Sequence, residues 1–298
     1  MGILQDKVIV ITGGTRGLGL AVARACADEG AQVVISSRSA EAVERAVSEL
    51  RSAGRTATGV LCDVTDLAQV EALAAHATKS FGRFDVWVNN AGYSGPYGPT
   101  AHVPPQLFLR SIQTNIVGSY HGSIVALRAF LPQKRGKLIN VLGRGSDGKP
   151  VDMQNAYAAT KSWERVFTLA MAQEYKESGV GIFAINPGMM TTEMLTDLTA
   201  VSGYENGLKA MPTIIRMWAK PPEVPAQKIV WLASSATDGK TGLEINEMSR
   251  GILLGGALRE GWRRLLRRPA PPLEIKVQLI PAALPLPNPH GPAAGEKW

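Results

Sequence analysis

Tyr157 and Lys161, four residues apart, are the pair in this 298-residue chain best suited to proton chemistry. On a helix that spacing places both side chains on one face, about one turn apart. A free tyrosine titrates near about pH 10, too high for proton transfer at neutral pH, and a nearby ammonium favours the phenolate and lowers that value. A pair at this spacing is more often a solvated helix face, so its meaning comes from its company. Nearer the N-terminus, Thr12-Gly13-Gly14-Thr15-Arg16-Gly17-Leu18-Gly19 follows the apolar run Val8-Ile9-Val10-Ile11. Glycines at a strand-to-helix turn let the backbone approach a pyrophosphate, whose charge the helix N-terminus favours. The bland alternative is a flexible turn.

Alternating elements must hold these residues. Unbroken β-branched runs read as strands covered on both faces. The patterning predicts strands at 8–11, 33–35, 58–61, 85–88, 137–142, 181–185 and 243–247. Helices are expected at 17–29 (stopped by Gly30), 40–53, 67–81, from after a Pro/Gly-rich loop at 95–105 to about 130, and at 155–177 and 223–234. Residues 189–220 form a loop-helix insert. Such alternation means βαβ units wound right-handed into an α/β, Rossmann-type, doubly wound seven-stranded parallel sheet with helices on both faces. We divide the chain into a catalytic domain at 1–249, a basic helix at 250–268 and an extended or disordered tail at 269–298, which holds 8 of the 19 prolines.

Composition sets the class. Hydrophobic residues at 45% and charged residues at 19% exclude a disordered or fibrous chain. The net charge of +7 suggests nucleic acid until it is located: residues 250–298 carry 8 Lys and Arg against 3 Asp and Glu, and the rest is nearly neutral. No nucleic-acid partner is expected. Cys26 and Cys62 cannot build a disulfide framework, and His76, His102, His121 and His290 stand at no ligand spacing, so no metal is expected. Without a signal-peptide pattern or a spanning apolar run, the expected location is cytoplasmic.

In order along the chain stand the Thr12–Gly19 turn, Asp63-Val64, Asn89-Asn90-Ala91-Gly92, Asn115, Tyr157 with Lys161, and Asn186-Pro187-Gly188 followed by Thr192. This series resembles the short-chain dehydrogenase/reductase family over residues 7 to about 248. The resemblance implies Tyr157 as proton donor to a carbonyl or base towards an alcohol. Lys161 would lower its pKa and hold the nicotinamide ribose, and Asn115 would anchor the water of a proton relay. It implies cofactor contacts from Gly13, Thr15, Arg16, Gly17, Leu18 and Gly19 in the turn, and from Asp63 and Val64 at the adenine. Asn89, Ala91 and Gly92 would line the cleft, with Pro187, Gly188 and Thr192 at the carboxamide end. A homo-oligomer is expected.

One position departs from the family pattern. A carbonyl-polarising serine is usual at the end of the fifth strand, where this chain has Gly143 within Asn140-Val141-Leu142-Gly143-Arg144-Gly145-Ser146-Asp147-Gly148. Ser146 is the candidate replacement; its alternative is a turn residue making a local hydrogen bond. The segment Gly145-Ser146-Asp147-Gly148-Lys149-Pro150, with Gly188-Met189-Met190-Thr191-Thr192, is locally similar to the chlorophyll(ide) b reductase branch, which reduces a ring formyl group.

Ser36-Ser37-Arg38 after the second strand lacks the acidic residue that binds NAD ribose hydroxyls, and Arg16 adds a second cation, so NADP(H) is expected over NAD(H). Met189, Met190, Met194 and Trp218 in the insert suit a hydrophobic carbonyl or alcohol substrate, though packing of the insert explains them equally. The competing function is an NADP-binding scaffold or redox sensor that lost turnover with its serine. In the basic helix, Leu254, Leu258, Trp262 and Leu265 form an apolar stripe beside Arg259, Arg263 and Arg267. Docking on the domain or on a partner subunit is one reading of it, and contact with an anionic lipid surface is the other.

Overall fold

The computed structural model describes residues 2–248, 250–270 and 273–284. Its first half alternates β1 (Val8–Thr12), α1 (Gly17–Asp28), β2 (Gln32–Ser37), α2 (Ala40–Ser52), β3 (Ala57–Leu61), α3 (Leu67–Phe81) and β4 (Val86–Asn89). Next come α4 (Pro105–Ser111), a π-helical segment at Ile112–Val117, α5 (Gly118–Gln133), β5 (Lys137–Val141), α6 (Asn155–Glu174) and β6 (Gly181–Asn186). The insert holds α7 (Glu193–Thr196), β7 (Asp197–Val201) and α8 (Met211–Trp218). After it stand α9 (Glu223–Ala233), β8 (Glu244–Asn246), α10 (Arg250–Leu265) and β9 (Lys276–Ile280).

Seven parallel strands form the main sheet in the order β3-β2-β1-β4-β5-β6-β8. Strand β1 is buried at every residue, because helices cover both faces. One core layer joins β1 and β6 to α1, α2 and α9 through residues such as Ile9, Val22, Phe183 and Ile229. The other joins β4 to α3, α5 and α6 through Trp87, Leu73, Phe130 and Met171. Full burial of a side chain such as Phe130 contributes about 1.5–3 kcal/mol. The strand order reverses between β1 and β4, and the crevice outside the carboxyl ends of strands at such a switch point is where α/β sheets bind ligands.

The long helix expected before residue 130 is interrupted by the π-helical segment, which carries Asn115. Segments of this kind are frequent at functional sites. The insert is also more than loop and helix. Its β7 runs parallel to β9 of the tail, pairing Asp197 with Lys276 through to Val201 with Ile280, and Tyr97 bridges to Ala200. The segment read as an extended or disordered tail therefore supplies a strand to the insert; residues 271–272 and 285–298 of it lie outside the described residues.

Helix α10 packs on α8. Trp218 Nε1 donates to Leu253 O, Arg259 donates to Met217 O, and a side chain at Gly256 would meet the Trp218 ring, with Cδ1 at 2.6 Å. This contact requires glycine in a helix that glycine otherwise weakens. The expectation that the Leu254, Leu258, Trp262 and Leu265 stripe docks on the domain is corrected. Those side chains are 63% to 73% exposed, because the inward face of α10 is the one carrying Gly256 and Glu260.

Candidate active site

The glycine turn sits at the switch point. Thr12 Oγ1 accepts from the backbone N–H groups of Asn90 and Ala91, and Asn90 Nδ2 donates to the carbonyls of Thr12 and Gly13. The ends of β1 and β4 are thereby latched together. Gly13 and Gly17 adopt positive φ of 64° and 51°, and a Cβ at Gly19 would lie 2.5 Å from Asn90 Nδ2. The turn thus needs glycine for conformation at two places and for close packing at the third.

Arg16 is the N-cap of α1 and its side chain makes no capping hydrogen bond, whereas Ser39 caps α2 and Asp66 caps α3. The first N–H groups of α1 therefore lack a side-chain acceptor, the arrangement that receives an anion. Leu18 is buried behind them, and Thr15 is partly exposed. A Cβ at Gly17 would lie 3.4 Å from Thr192 Cγ2, so the start of the insert closes over the turn. Arg16 and Arg38 are exposed at the same crevice end of β1 and β2.

Asp63 Oδ1 accepts from the backbone N–H and hydroxyl of Thr65, which orders the loop after β3. Val64 is buried against α5 at Gly118. The Asn89 side chain lies beneath the cleft rather than on its wall. It accepts from Trp87 Nε1 and donates to Asn140 Oδ1 and Ser123 Oγ. Gly188 takes φ of 75° after Pro187, with its N–H donating to Asn186 Oδ1.

Tyr157, Lys161 and Asn115 come together where β4 and β5 end. Lys161 Nζ donates to Val141 O at 3.0 Å, and a Cβ on Gly92 would lie 3.8 Å from that nitrogen and 3.6 Å from Asn115 Oδ1. Asn115 Oδ1 accepts from Tyr93 N–H, and its Nδ2 donates to Tyr93 O and Thr160 Oγ1. Its side chain therefore pins the loop after β4. Lys161 also pairs at 2.6 Å with Glu164, a buried carboxylate not among the residues singled out from the sequence. Its place seven residues after Tyr157, on the same helical stripe, was the available signal.

Burial pushes the Tyr157 phenol above the ordinary tyrosine range; Lys161 pulls it down and Glu164 pushes it up. Lys161 acts on the phenol in the expected direction, but burial outweighs it. Burial opposes the Lys161 charge, but Glu164 and Tyr157 together hold its ammonium above the usual lysine value. A Cβ at Gly143 would collide with the Tyr157 hydroxyl and lie 3.1 Å from Cζ, so the phenol takes the space a side chain there would need. Ser146 is buried in the following turn, and its Oγ accepts from Asn186 Nδ2.

The substrate side is a narrow depression lined by Ser94, Phe108, Met153, Gln154 and Tyr157. Among the described residues no His, Cys, Asp and Glu cluster could hold a metal, and no helix is long and apolar enough to cross a membrane. Cys26 and Cys62 are buried free thiols, pushed up by burial to about 12 and about 11, which leaves them poor nucleophiles.

A doubly wound sheet with a glycine turn at its switch point and a Tyr/Lys pair beside it defines a dinucleotide-dependent class of enzyme. Residues 7–202 match the short chain dehydrogenase family model, and the chain belongs to that family. It is an oxidoreductase acting on CH–OH or C=O groups. Chlorophyll(ide) b reductase NOL of Arabidopsis thaliana is 36% identical over 228 residues, which cover 74% of this chain and 64% of that protein. L-fucose dehydrogenase of Oryctolagus cuniculus is 35% identical over 265 residues, 87% of this chain and 89% of that one. A crystal structure of an actinorhodin polyketide ketoreductase variant with NADPH superposes with a TM-score of 0.74 at 27% identity, over 85% of this chain and 99% of that one.

Proposed function

We propose that the protein is an NADP(H)-dependent oxidoreductase of a hydrophobic carbonyl/alcohol pair, with Tyr157 as the acid/base group. The observation that carries the reading is the convergence of Tyr157, Lys161 and Asn115 beside Gly92, one strand away from the glycine turn. The turn fits a dinucleotide: Gly13 and Gly17 hold the positive φ that shapes it, and the helix behind it lacks a side-chain cap. Gly13, Thr15, Arg16, Gly17, Leu18 and Gly19 would hold the phosphates, with Asp63, Val64, Ala91 and Gly92 along the adenine and cleft side. Pro187, Gly188 and Thr192 would close the nicotinamide end. Arg16 and Arg38 make no side-chain bond to another described residue and are available to clamp a 2′-phosphate, which favours NADP over NAD. When bound, the cofactor supplies the hydride.

Tyr157 gives its proton to the carbonyl oxygen in reduction, and Lys161 would hold the nicotinamide ribose while acting on the phenol. Ser146 serves the carbonyl in place of the absent family serine. Its Oγ accepts from Asn186 and has no acceptor for its own proton among the described residues, so that proton is free to donate. NADPH oxidation against a panel of aldehydes, ketones and formyl-bearing ring compounds tests the reading. Tyr157→Phe should lower turnover by about 10²- to 10⁴-fold and still bind NADPH. A fully active Phe variant refutes the mechanism, and NADPH binding without turnover on any carbonyl favours the scaffold. We place the enzyme in the cytoplasm.

The exposed α10 stripe favours one addition, contact with an anionic lipid surface. Leu258 and Trp262 would enter the interface while Arg267 and Arg268 meet the headgroups. Binding to phosphatidylserine vesicles that disappears with Leu258→Glu and Trp262→Glu supports this. Unchanged vesicle binding, or a stripe covered by a second copy in solution, removes it.

A further inference from the structure

Tyr157, Lys161 and Glu164 occupy positions i, i+4 and i+7 of α6, so the carboxylate continues the stripe that carries the site. A buried helix stripe is ordinarily apolar, and a buried ion pair is costly enough that replacing it by apolar residues is often neutral or favourable. Glu164 is nonetheless held in detail. Its side chain is 2% exposed beside Lys161 at 5%, with 2.6 Å between Oε2 and Nζ. Ser119 Oγ on α5 donates to Oε1 at 2.7 Å. Thr168 Oγ1 donates to the Glu164 backbone carbonyl and accepts from Asn140, which in turn accepts from Asn89. Oε2 makes its close polar contact with the Lys161 ammonium, at charge-assisted distance.

We propose that Glu164 is a positioning residue for the catalytic pair: it fixes the Lys161 ammonium and opposes its charge at Tyr157, so that Tyr157 keeps the proton that carbonyl reduction consumes. The inference rests on the oxidoreductase reading above. A lone ammonium at Lys161 would favour the phenolate, leaving less of the acid at neutral pH. Paired with Glu164, the ammonium acts on the phenol against an opposing charge. The groups facing this cluster are Tyr157, Lys161 and Glu164 from α6, Ser119 from α5, Asn115 from the π-helical segment through Thr160, and the Val141 carbonyl from β5. Of these, Lys161 and Glu164 are the charges acting on Tyr157, in opposite directions.

Glu164→Gln removes the charge and keeps an oxygen for Ser119. Tyr157 ionisation is read directly by NMR of carbon-labelled tyrosine, with Tyr157→Phe identifying the resonance, and the alkaline limb of carbonyl reduction is followed in parallel. The Gln variant is expected to ionise Tyr157 at lower pH, with about tenfold more phenolate at any pH well below both transitions. Its reduction rate should fall away at correspondingly lower pH. A folded Gln variant in which Tyr157 titrates as in wild type overturns the proposal. Should Gln not fold, Glu164→Asp, which keeps the charge on a shorter arm, must move the titration the same way by less; an unmoved titration overturns it too. The titration needs no turnover, so failure of the oxidoreductase reading would appear separately, as an active Tyr157→Phe enzyme.

Discussion

Restoring the family's serine at position 143 should damage this enzyme. A Cβ there would stand about 1 Å closer to the Tyr157 hydroxyl than carbon and oxygen tolerate, 3.1 Å from Cζ and 3.4 Å from Lys161 Cγ. Relief requires the phenol to move by a comparable distance, since Lys161 is held by Val141 and Glu164. Displacement of a reacting group by about 1 Å can cost about 10²-fold in rate. Gly143→Ser is therefore expected to lower single-turnover carbonyl reduction by about that factor, with NADPH affinity unchanged. Gly143→Ala, with the same Cβ and no hydroxyl, should be equally impaired. Ser146→Ala should independently lose about 10²-fold if its free hydroxyl proton serves the carbonyl. A Gly143→Ser enzyme as fast as wild type or faster refutes the steric argument. A Ser146→Ala enzyme indistinguishable from wild type removes Ser146 from the site.

Two further outcomes are expected. Arg38→Asp should reduce the ratio of NADPH to NADH affinity by at least about tenfold, because a hydrogen bond to a charged group is lost and repulsion of a phosphate replaces it; an unchanged ratio in equilibrium titrations rejects the NADP assignment. Removing residues 250–298 takes β9 from β7 and α10 from α8 but leaves the seven-stranded sheet intact. KM for the carbonyl substrate should then rise about tenfold while NADPH binding stays within about twofold, and loss of NADPH binding in a folded truncated protein would show that the tail supports the cofactor half.

The doubly wound sheet was legible because its strands are buried on both faces, so Val8–Ile11 or Val33–Ile35 announce themselves without reference to anything distant. The same holds for Tyr157 and Lys161, whose relation is fixed by one helix. What stayed hidden depends on pairing across long sequence separations. Asp197–Val201 does not read as a strand alone; it becomes one because Lys276–Ile280 lies along one edge and Tyr97 along the other. The apolar stripe of α10 was legible as a stripe, but its direction depended on Gly256, whose missing side chain admits Trp218 and turns the leucines outward.

Asn89 and Glu164 show the same limit at the site itself. Both are polar residues in motif-rich segments, and sequence alone gives no means of telling a cleft wall from the layer beneath it. The fold separates them by burial: Asn89 joins Trp87, Ser123 and Asn140 under the cleft, and Glu164 closes on Lys161 from within the same layer. A carboxylate in that place cannot be there for packing, since an apolar side chain would serve packing at lower cost. On the proposal above, its contribution is made through the charge it sets against Lys161, and the residue that feels the balance of the two is Tyr157.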